Sequence, residues 1–317
     1  MQVLGVSEIN VLYTFDTRFW KLALVSMVSM LKNRTNKDAK CTIFCMVAPG
    51  TRGYRKIEKT VQEFGADLVW RVVRKYENPY RGYNYSRWSP VIFYRLNAHK
   101  FFPNVKKMLY LDSDTIVNDD LGELFDTDLS DWAMGAIQDM APIEIADNEN
   151  GQYVKDFAQK YLDNGPYFNS GVLLLNLEKM REYEKDLRAV DIPLTYPDQD
   201  VLNAGLKGKI YPLPMRYNFA PGVVIPQHFQ QEYQKNEKIA IYHFYTIKPY
   251  VFDKTSRDLY SMFYKYCMAV GMHPDDFMEW ERRYLAKRYK NKYSKLFKPL
   301  RVYNNRITLY GFVLKRL

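Results

Sequence analysis

The sequence predicts an α/β protein built on a mainly parallel, doubly wound sheet. Apolar segments that suit strands alternate with segments of helical periodicity, and this alternation is typical of a parallel sheet covered by helices on both faces. The composition agrees with a globular chain, because 47% of the residues are hydrophobic and 26% are charged. The length of 317 residues suits one large α/β domain with an appendage.

The strands are predicted from short apolar runs that stop at turn-forming residues. The run INVLYTF forms the first strand, and Pro49 with Gly50 stops the second. The predicted strands are Ile9–Phe15, Cys41–Val47, Asp67–Val73, Lys107–Leu111, Trp132–Ile137, Val172–Asn176, Ile210–Leu213 and Ile239–His243.

The helices are predicted from apolar residues at helical spacing and from residues that begin or end a helix. Pro90 suits the first position of a helix, and Gly65 suits the residue after its end. The predicted helices are Thr17–Asn33, Arg52–Phe64, Pro90–Lys100, one that begins near Leu177, Asp200–Leu206 and a helical region from Ser256 onward.

The positive charge of the chain is concentrated at its end. Arg282–Leu317 contains 12 of the 46 Lys and Arg residues and no acidic residue, so the rest has 34 basic against 36 acidic side chains. Tyr284, Tyr289, Tyr293 and Phe297 recur among these cations, which predicts an amphipathic basic helix on an anionic membrane surface. The alternatives for this tail are a solvated face that packs its aromatic residues on the body and non-specific nucleic-acid binding. The near-neutral body argues against a protein whose function is to bind nucleic acid.

Cysteine use and hydropathy favour the cytoplasm. Cys41, Cys45 and Cys267 are too few for a disulfide framework. No basic stretch precedes an apolar run at the N-terminus, and the apolar segment Leu22–Leu31 is about half of the ~20 residues that a membrane helix needs. We therefore expect a cytoplasmic protein that is peripheral on the cytoplasmic face of the membrane.

The strongest local signal is the segment MLYLDSD at Met108–Asp114. Residues i and i+2 of an extended backbone project to the same side, so Asp112 and Asp114 can converge on one cation. They follow the carboxyl end of a predicted strand, where open α/β sheets bind ligands. Carboxylate oxygens suit Mg²⁺ or Mn²⁺, which in turn hold a diphosphate. A solvated turn at the end of a strand is the alternative.

Three further segments combine polar groups with strand or helix ends. YFNSG at Tyr167–Gly171 places an amide and a glycine before an apolar strand, where the backbone can approach a neighbour closely. YPDQD at Tyr196–Asp200 opens a helix, but helix capping does not require the glutamine between two carboxylates. IYHFYTIKP at Ile241–Pro249 offers a neutral metal ligand and a cation for phosphate, although a strand-end histidine can also be structural.

In this order, the motifs LYLDSD, YFNSG, DQD and HF…KP resemble those of the retaining glycosyltransferases of family eight. That family has the GT-A fold and includes glycogenin and the bacterial lipopolysaccharide galactosyl- and glucosyltransferases. The resemblance runs from the first strand to about Tyr250, and the bacterial branch is the more similar. It implies a GT-A nucleotide-sugar-binding domain, a doubly wound mixed sheet, at residues 1–255. The helical pattern from Ser256 and the basic residues after Glu281 add a helical, basic region at 256–317.

The resemblance also implies an activity. It is the Mn²⁺-dependent transfer of a hexose, from UDP-glucose or UDP-galactose, to a saccharide acceptor with retention of configuration. A lipid-linked cell-surface glycan, such as lipopolysaccharide, capsule or exopolysaccharide, is the expected acceptor. The aromatic loop Tyr80–Trp88 and the segment Pro221–Tyr233 are candidates for the acceptor side.

Roles are implied only for residues that match the motifs. The implied metal ligands, for Mn²⁺ or else Mg²⁺, are Asp112, Asp114 and His243. The residues implied in donor binding are Thr14, Asp16 and Phe19 at the uridine, with Arg95, Ser113 and Lys248 nearer the diphosphate and sugar. The residues implied at the donor sugar and reaction centre are Asp139, Asn169, Asp198 and Gln199.

The chain departs from the family pattern at two points. The last motif usually reads His-aromatic-x-Gly-x-x-Lys-Pro, but here it has no glycine and one residue fewer between His243 and Lys248. Arg18 stands in the loop after the first strand, where close relatives often have asparagine.

Two other enzyme classes use related motifs. A haloacid-dehalogenase-type phosphatase would use Asp112 as nucleophile and Asp114 as acid/base, but its motif normally closes the first strand, and three predicted strands come earlier here. A sugar-phosphate nucleotidyltransferase would need a glycine-rich phosphate loop that the first strand lacks. Neither class has a use for the DQD and HF…KP motifs.

Overall fold

The computed structural model describes residues 8–80, 89–139, 149–221, 238–245, 248–251, 257–277, 308–309 and 312–313. Its strands are β1 (Glu8–Phe15), β2 (Lys40–Val47), β3 (Asp67–Val72), β4 (Lys107–Leu111), β5 (Thr115–Val117), β6 (Met134–Gln138), β7 (Phe168–Asn176), β8 (Ile210–Pro212), β9 (Ile241–His243), β10 (Thr308–Leu309) and β11 (Phe312–Val313).

Seven strands form the central sheet, in the order β3-β2-β1-β4-β7-β6-β8. Neighbouring strands are parallel except where β7 pairs with β4 and β6. The carboxyl ends of β1, β4 and β6 and the amino end of β7 therefore lie at one edge of the sheet. This mixed α/β sheet confirms the predicted fold class.

The helices are α1 (Trp20–Asn33), α2 (Tyr54–Glu63), α3 (Ala98–Phe101), α4 (Gly122–Asp126), α5 (Glu149–Tyr161), α6 (Leu177–Glu182), α7 (Glu184–Ala189), α8 (Pro197–Gly205) and α9 (Arg257–Ala269). Short 3₁₀ helices occupy Lys75–Glu77, Pro90–Asn97, Met215–Tyr217 and Pro249–Val251.

The sheet is buried on both faces, which explains the continuous apolar runs of its strands. Along β1, Val11 and Tyr13 enter the apolar cluster under α1, and Leu12 enters the cluster on the opposite face. On β7, Leu174 joins the first cluster and Leu173 the second. The alternation follows from the period of two residues in a strand.

Several boundaries differ from the prediction for local reasons. The first helix begins at Trp20 rather than Thr17, because the Asp16 side chain accepts a hydrogen bond from the Arg18 backbone N–H at 2.7 Å and forms a turn. The predicted helix from Pro90 is mostly 3₁₀. Strand β7 begins at Phe168, not at Val172, so Asn169 lies inside the strand. Helix α8 begins at Pro197, three residues before the predicted start at Asp200.

A second, two-stranded sheet pairs β5 with β9 in antiparallel register, with Thr115 opposite His243. The sequence did not predict β5, which follows β4 after a tight turn. This pairing brings the end of β9 beside the turn that contains Asp112 and Asp114.

The C-terminal region begins with a helix, as predicted. Helix α9 buries Phe263 and Tyr266 in the cluster under α1, and Asn33 Nδ2 donates to Tyr266 Oη at 2.7 Å. Strands β10 and β11 pair antiparallel, so these four residues are extended where a helix was predicted. The predicted amphipathic helix around Tyr284–Phe297 lies outside the described residues, and the division at residue 255 stays a prediction. Within the described residues, no helix combines the length and apolar character needed to span a bilayer.

Candidate active site

Three potential metal ligands meet between the ends of β4 and β9. Asp112 and Asp114 occupy the turn after β4, and His243 is the last residue of β9. His243 Nε2 lies 3.5 Å from Asp112 Oδ2 and 3.4 Å from Asp114 Oδ1. One ligand atom from each residue can be chosen so that all lie within 4.8 Å of one another.

The chemistry of this cluster fits a divalent cation. His243 is buried, and its Nε2 has no hydrogen-bond partner among the described residues. Burial lowers the pKa of an imidazole, but the two adjacent carboxylates outweigh it and raise the pKa of His243 to about 9. Carboxylates that stabilise a positive charge here also favour a bound cation, and two oxygens with one imidazole nitrogen suit Mn²⁺ better than Mg²⁺.

Gly171 makes room for the imidazole. A Cβ atom on Gly171 would lie 2.0 Å from His243 Cε1 and 2.6 Å from Nδ1. The glycine that the YFNSG motif indicated is therefore required by close approach of the histidine ring to strand β7.

The buried guanidinium of Arg95 forms ion pairs with Asp112 of the cluster and with Asp198. Arg95 Nη2 lies 2.9 Å from Asp112 Oδ1, Arg95 Nη1 lies 3.4 Å from Asp198 Oδ2, and the same Nη1 donates to the Ser170 carbonyl at 2.6 Å. The guanidinium also lies over the Tyr110 ring, 4.1 Å from its centroid. Burial works to raise the pKa of Asp112, but the Arg95 charge holds it below the ordinary value.

Lys248 lies on the other side of the cluster despite the shortened motif. Its ammonium forms an ion pair with Asp114 and donates to the Phe244 carbonyl at 3.3 Å. Burial again opposes ionisation of the carboxyl, but the Lys248 charge keeps the pKa of Asp114 well below its ordinary value.

The four residues predicted for the reaction centre are buried and hydrogen-bonded together. Gln199 Nε2 and Asn169 Nδ2 donate to Asp139 Oδ2 at 2.9 and 3.1 Å. The Ser170 backbone N–H donates to Gln199 Oε1 at 2.9 Å, and its hydroxyl donates to Asp198 Oδ2 at 3.0 Å. Burial raises the pKa of Asp198.

The predicted uridine contacts lie at the carboxyl end of β1, with Thr14 inside the strand and Asp16 and Phe19 after it. The hydroxyls of Thr14 and Tyr110 are hydrogen-bonded at 3.2 Å, and Tyr110 Oη donates to Asp112. Phe19 is half-buried, and the Arg18 guanidinium lies 4.8 Å from its ring centroid. The bond through Tyr110 connects the end of β1 to the acidic turn, in which Ser113 is also buried. The predicted site residues at the carboxyl ends of β1, β4 and β6 thus share one edge of the central sheet, and β9 of the second sheet brings His243 beside them.

Comparison with known proteins identifies the family. The family model described as glycosyl transferase family 8 matches residues 10–252, well over half of the chain. The chain belongs to glycosyltransferase family 8.

Curated relatives of this family 8 chain include two proteins named lipopolysaccharide 1,2-glucosyltransferase. One, from Escherichia coli, is 30% identical over 225 residues, which are 66% of this chain and 62% of the relative. The other, from Escherichia coli K12, is 31% identical over 138 residues, which are 41% of this chain and 39% of the relative. General stress protein A of Bacillus subtilis is 26% identical over 176 residues, or 52% of this chain and 57% of the relative. The chain therefore spans less than two thirds of each of these relatives.

Solved structures share the fold. The galactosyltransferase LgtC, crystallised with donor and acceptor sugar analogs, has a TM-score of 0.65 and 22% identity, over 86% of this chain and 100% of its own. The bifunctional glycosyltransferase WbbM has a TM-score of 0.65 and 19% identity, over 89% of this chain and 53% of its own. These likenesses confirm the GT-A type of fold.

The family 8 motifs left one buried residue of the site unnoticed. Asn218 Oδ1 lies 2.9 Å from His243 Nδ1, and Asn218 Nδ2 donates to Asn169 Oδ1 at 2.9 Å. Its only signal in the sequence is an amide between Tyr217 and Phe219, in the otherwise largely apolar stretch before Pro221.

Asp200, the last residue of DQD, has a structural function distinct from that of Asp198 and Gln199. Its carboxylate accepts hydrogen bonds from Tyr167 Oη at 2.5 Å, and from Tyr153 Oη and the Thr195 and Tyr196 backbone N–H groups at 2.8 Å each. The two tyrosine hydroxyls thus connect the start of α8 to α5 and to the residue before β7, and the two backbone N–H groups fix the turn that leads into α8. Burial nevertheless raises the pKa of Asp200 to about 6.

We expect the variant Asp200→Asn to lose about 2–3 kcal/mol of unfolding free energy, because its amide nitrogen must face at least one of these buried donors. Urea unfolding followed by circular dichroism measures the loss. The exposed Asp191 on the same loop provides the control Asp191→Asn, which should unfold like the unmodified chain. A loss for Asp200→Asn no larger than that of the control would show that the four hydrogen bonds contribute little.

Proposed function

We propose that this chain is a retaining hexosyltransferase that moves glucose or galactose from a UDP-sugar to a saccharide acceptor. The observation that carries the proposal is the convergence of Asp112, Asp114 and His243 beside the buried group that contains Asp139 and Gln199. Membership of family 8 and relatives named as lipopolysaccharide glucosyltransferases support the same reaction class. A phosphatase mechanism would need Asp112 as a nucleophile, whereas Arg95 and Tyr110 both hold that carboxylate.

The donor lies across the carboxyl edge of the sheet in this proposal. Thr14, Asp16 and Phe19 bind the uridine, and Ser113 lies next to the diphosphate. Lys248 holds the phosphates from the side of Asp114. Arg95 acts mainly through Asp112 and Asp198, because its guanidinium is buried between these two carboxylates.

Catalysis follows from fixed charge beside the bond that breaks. Cleavage between sugar C1 and the diphosphate oxygen builds positive character on the sugar and negative charge on UDP. Asp112, Asp114 and His243 would hold a divalent ion, which would supply a Lewis acid for that leaving group. Lys248 adds a cation that is already in place, and Asp139, Asn169 and Gln199 orient the donor sugar. Such preorganised charges need little rearrangement during the reaction.

Retention of configuration is proposed to arise from attack by the acceptor on the same face as the leaving group. The acceptor hydroxyl forms the new bond to C1, and its proton passes to the leaving phosphate oxygen. Asp198 and Gln199 are poor candidates for a nucleophile. Asp198 accepts from Ser170 and pairs with Arg95, and both ends of the Gln199 amide are hydrogen-bonded.

We therefore expect no covalent glycosyl adduct on Asp198 or Gln199 during turnover with a slow acceptor, because both side chains are already engaged by Ser170, Arg95 or Asp139. Mass spectrometry of the quenched protein and its peptides measures this directly, with the Asp112→Asn variant, whose turnover should be strongly reduced, as the control. A hexose mass on either residue, absent from the control, would overturn same-face attack in favour of a double displacement.

The acceptor is proposed to be a saccharide on a lipid-linked glycan. The basic segment Arg282–Leu317 would hold the enzyme at the cytoplasmic face of an anionic membrane, at about 1 kcal/mol per cation near the surface. Flotation with vesicles of anionic and of neutral lipid tests this, comparing the full chain with a chain that ends at Glu281. Equal binding of both chains to anionic vesicles would contradict the role of the segment.

The experiment that tests the proposed function is UDP release from a panel of UDP-sugars, with Mn²⁺ and with a chelator. Slow hydrolysis of one UDP-sugar that requires Mn²⁺ would identify the donor and the metal together. Cleavage of small phosphoesters with no release of UDP from any donor would favour the phosphatase instead.

A further inference from the structure

We infer that Asn218 is a positioning residue that determines which ring nitrogen of His243 is free to bind a metal ion. The inference rests on the proposed function, because it takes the cluster of Asp112, Asp114 and His243 to be a metal site. Both Asn218 and His243 are 2% exposed, so water does not substitute for the hydrogen bond between them.

The orientation of the side chains can be deduced from one backbone group. The Gly171 backbone N–H can only donate, and it donates to Asn169 Oδ1 at 2.9 Å. The oxygen of the Asn169 amide must therefore face Gly171. Its nitrogen then faces Asp139, which accepts at 3.1 Å, as a carboxylate should.

The same reasoning extends to the histidine. Because Asn169 Oδ1 is an acceptor, the Asn218 group 2.9 Å away must be the amide nitrogen. The Asn218 oxygen then faces His243 Nδ1, also at 2.9 Å, and this ring nitrogen must carry a proton. A neutral imidazole protonated at Nδ1 has its lone pair on Nε2, the atom that faces Asp112 and Asp114.

Without Asn218, the neutral imidazole of His243 would prefer to carry its proton on Nε2 rather than on Nδ1. The carboxylates of Asp112 and Asp114 favour a proton on the ring nitrogen that faces them, and such a proton blocks that nitrogen as a ligand. The acceptor at Asn218 opposes this by stabilising the proton at Nδ1. Hydrogen bonds of this kind to ligating histidines change metal affinity by about 10–100-fold.

Two substitutions distinguish the effect of the Asn218 oxygen, which accepts from His243, from the effect of the rest of the Asn218 side chain. Asn218→Leu has a similar shape but no acceptor for Nδ1. Asn218→Asp retains an oxygen acceptor for Nδ1, but it loses the N–H that Asn169 accepts and adds a carboxylate charge. We expect Mn²⁺ affinity to fall about 10–100-fold in the leucine variant and to stay within about threefold of the unmodified chain in the aspartate variant.

The measurement is a titration of the full chain with Mn²⁺ and no donor, with free Mn²⁺ followed by electron paramagnetic resonance. Asn33→Leu is the matched control: the Asn33 amide donates to Ser29 O, Val117 O and Tyr266 Oη, away from the site, so its loss should leave Mn²⁺ affinity unchanged. Thermal unfolding checks that each variant is folded, and Asn218→Ala replaces the leucine variant if that protein does not fold.

Three results would overturn the inference, and they differ in what they say of the proposed function. If Asp112→Asn loses Mn²⁺ binding and the leucine variant does not, the metal site stands and Asn218 does not position its ligand. If the leucine and aspartate variants lose affinity equally, Asn218 acts through packing or through Asn169 rather than as the acceptor for His243. If the unmodified chain binds Mn²⁺ no better than Asp112→Asn, the proposed metal site and the inference fail together.

Discussion

Asp112→Asn is expected to lower kcat/KM for UDP-sugar turnover by about 10²–10³-fold, the range for loss of one preorganised electrostatic group. The amide has nearly the shape of the carboxylate but no charge for a cation. It also leaves the buried guanidinium of Arg95 with Asp198 as its remaining ion-pair partner among the described residues. The rate of UDP release at saturating Mn²⁺ measures the effect, with the donor that the UDP-sugar panel identifies.

The exposed Asp131 provides a control for this substitution, because Asp131→Asn makes the same change of charge outside the cluster. The control should retain the turnover of the unmodified chain. Urea unfolding of both variants separates a loss of catalysis from a loss of folded protein. Unchanged turnover of Asp112→Asn, with an unchanged dependence on Mn²⁺, would remove Asp112 from the metal site.

Gly171→Ala is expected to reduce turnover by about 10²-fold or more and to lower the free energy of unfolding by about 1–3 kcal/mol. The new methyl group would lie 2.0 Å from His243 Cε1, so the ring has to move. Its movement is restricted by the hydrogen bond to Asn218 and by the Tyr245 ring, whose centroid is 4.8 Å from that of His243. UDP release and urea unfolding measure the two effects.

Gly135→Ala is the matched control on strand β6, next to β7. The three atoms nearest to its Cβ would all belong to the Leu213 side chain, at 3.0–3.3 Å, and a leucine end can shift. This variant should lose less stability and keep its turnover. A second test combines Gly171→Ala with His243→Ala, which removes the obstructing ring. If the collision with the ring causes the instability, Gly171→Ala should lower the free energy of unfolding by at least about 1 kcal/mol less when His243 is already alanine. An equal loss with and without the ring would contradict the collision.

Much of the fold and the site could be predicted because the relevant signals are local. Buried strands produce apolar runs, and residues that follow the carboxyl ends of parallel strands meet at one edge of a sheet. Asp112 and Asp114 were recognisable from the strand before them and from their spacing of two. His243 was implied as their partner by the family resemblance, and its place at the end of an apolar strand agrees with that role.

The parts that could not be predicted depend on contacts between distant segments. Strand β5 has only three residues, and its pairing with β9 determines where His243 lies. Asn218 carries no local pattern, since a lone amide in an apolar stretch has no defined function until its neighbours are known.

The sequence by itself therefore determined the class of fold, the chemical groups of the site and the edge of the sheet at which they meet. Only the tertiary structure decided how those groups face one another: that Gly171 makes room for a ring, that Arg95 is held between two carboxylates, and that Asn218 accepts from His243. The physical reason is the distance along the chain over which each interaction acts. Backbone periodicity and turn preferences act over a few residues, whereas the direction of a hydrogen bond and the volume available to a ring are set by side chains that only folding brings together.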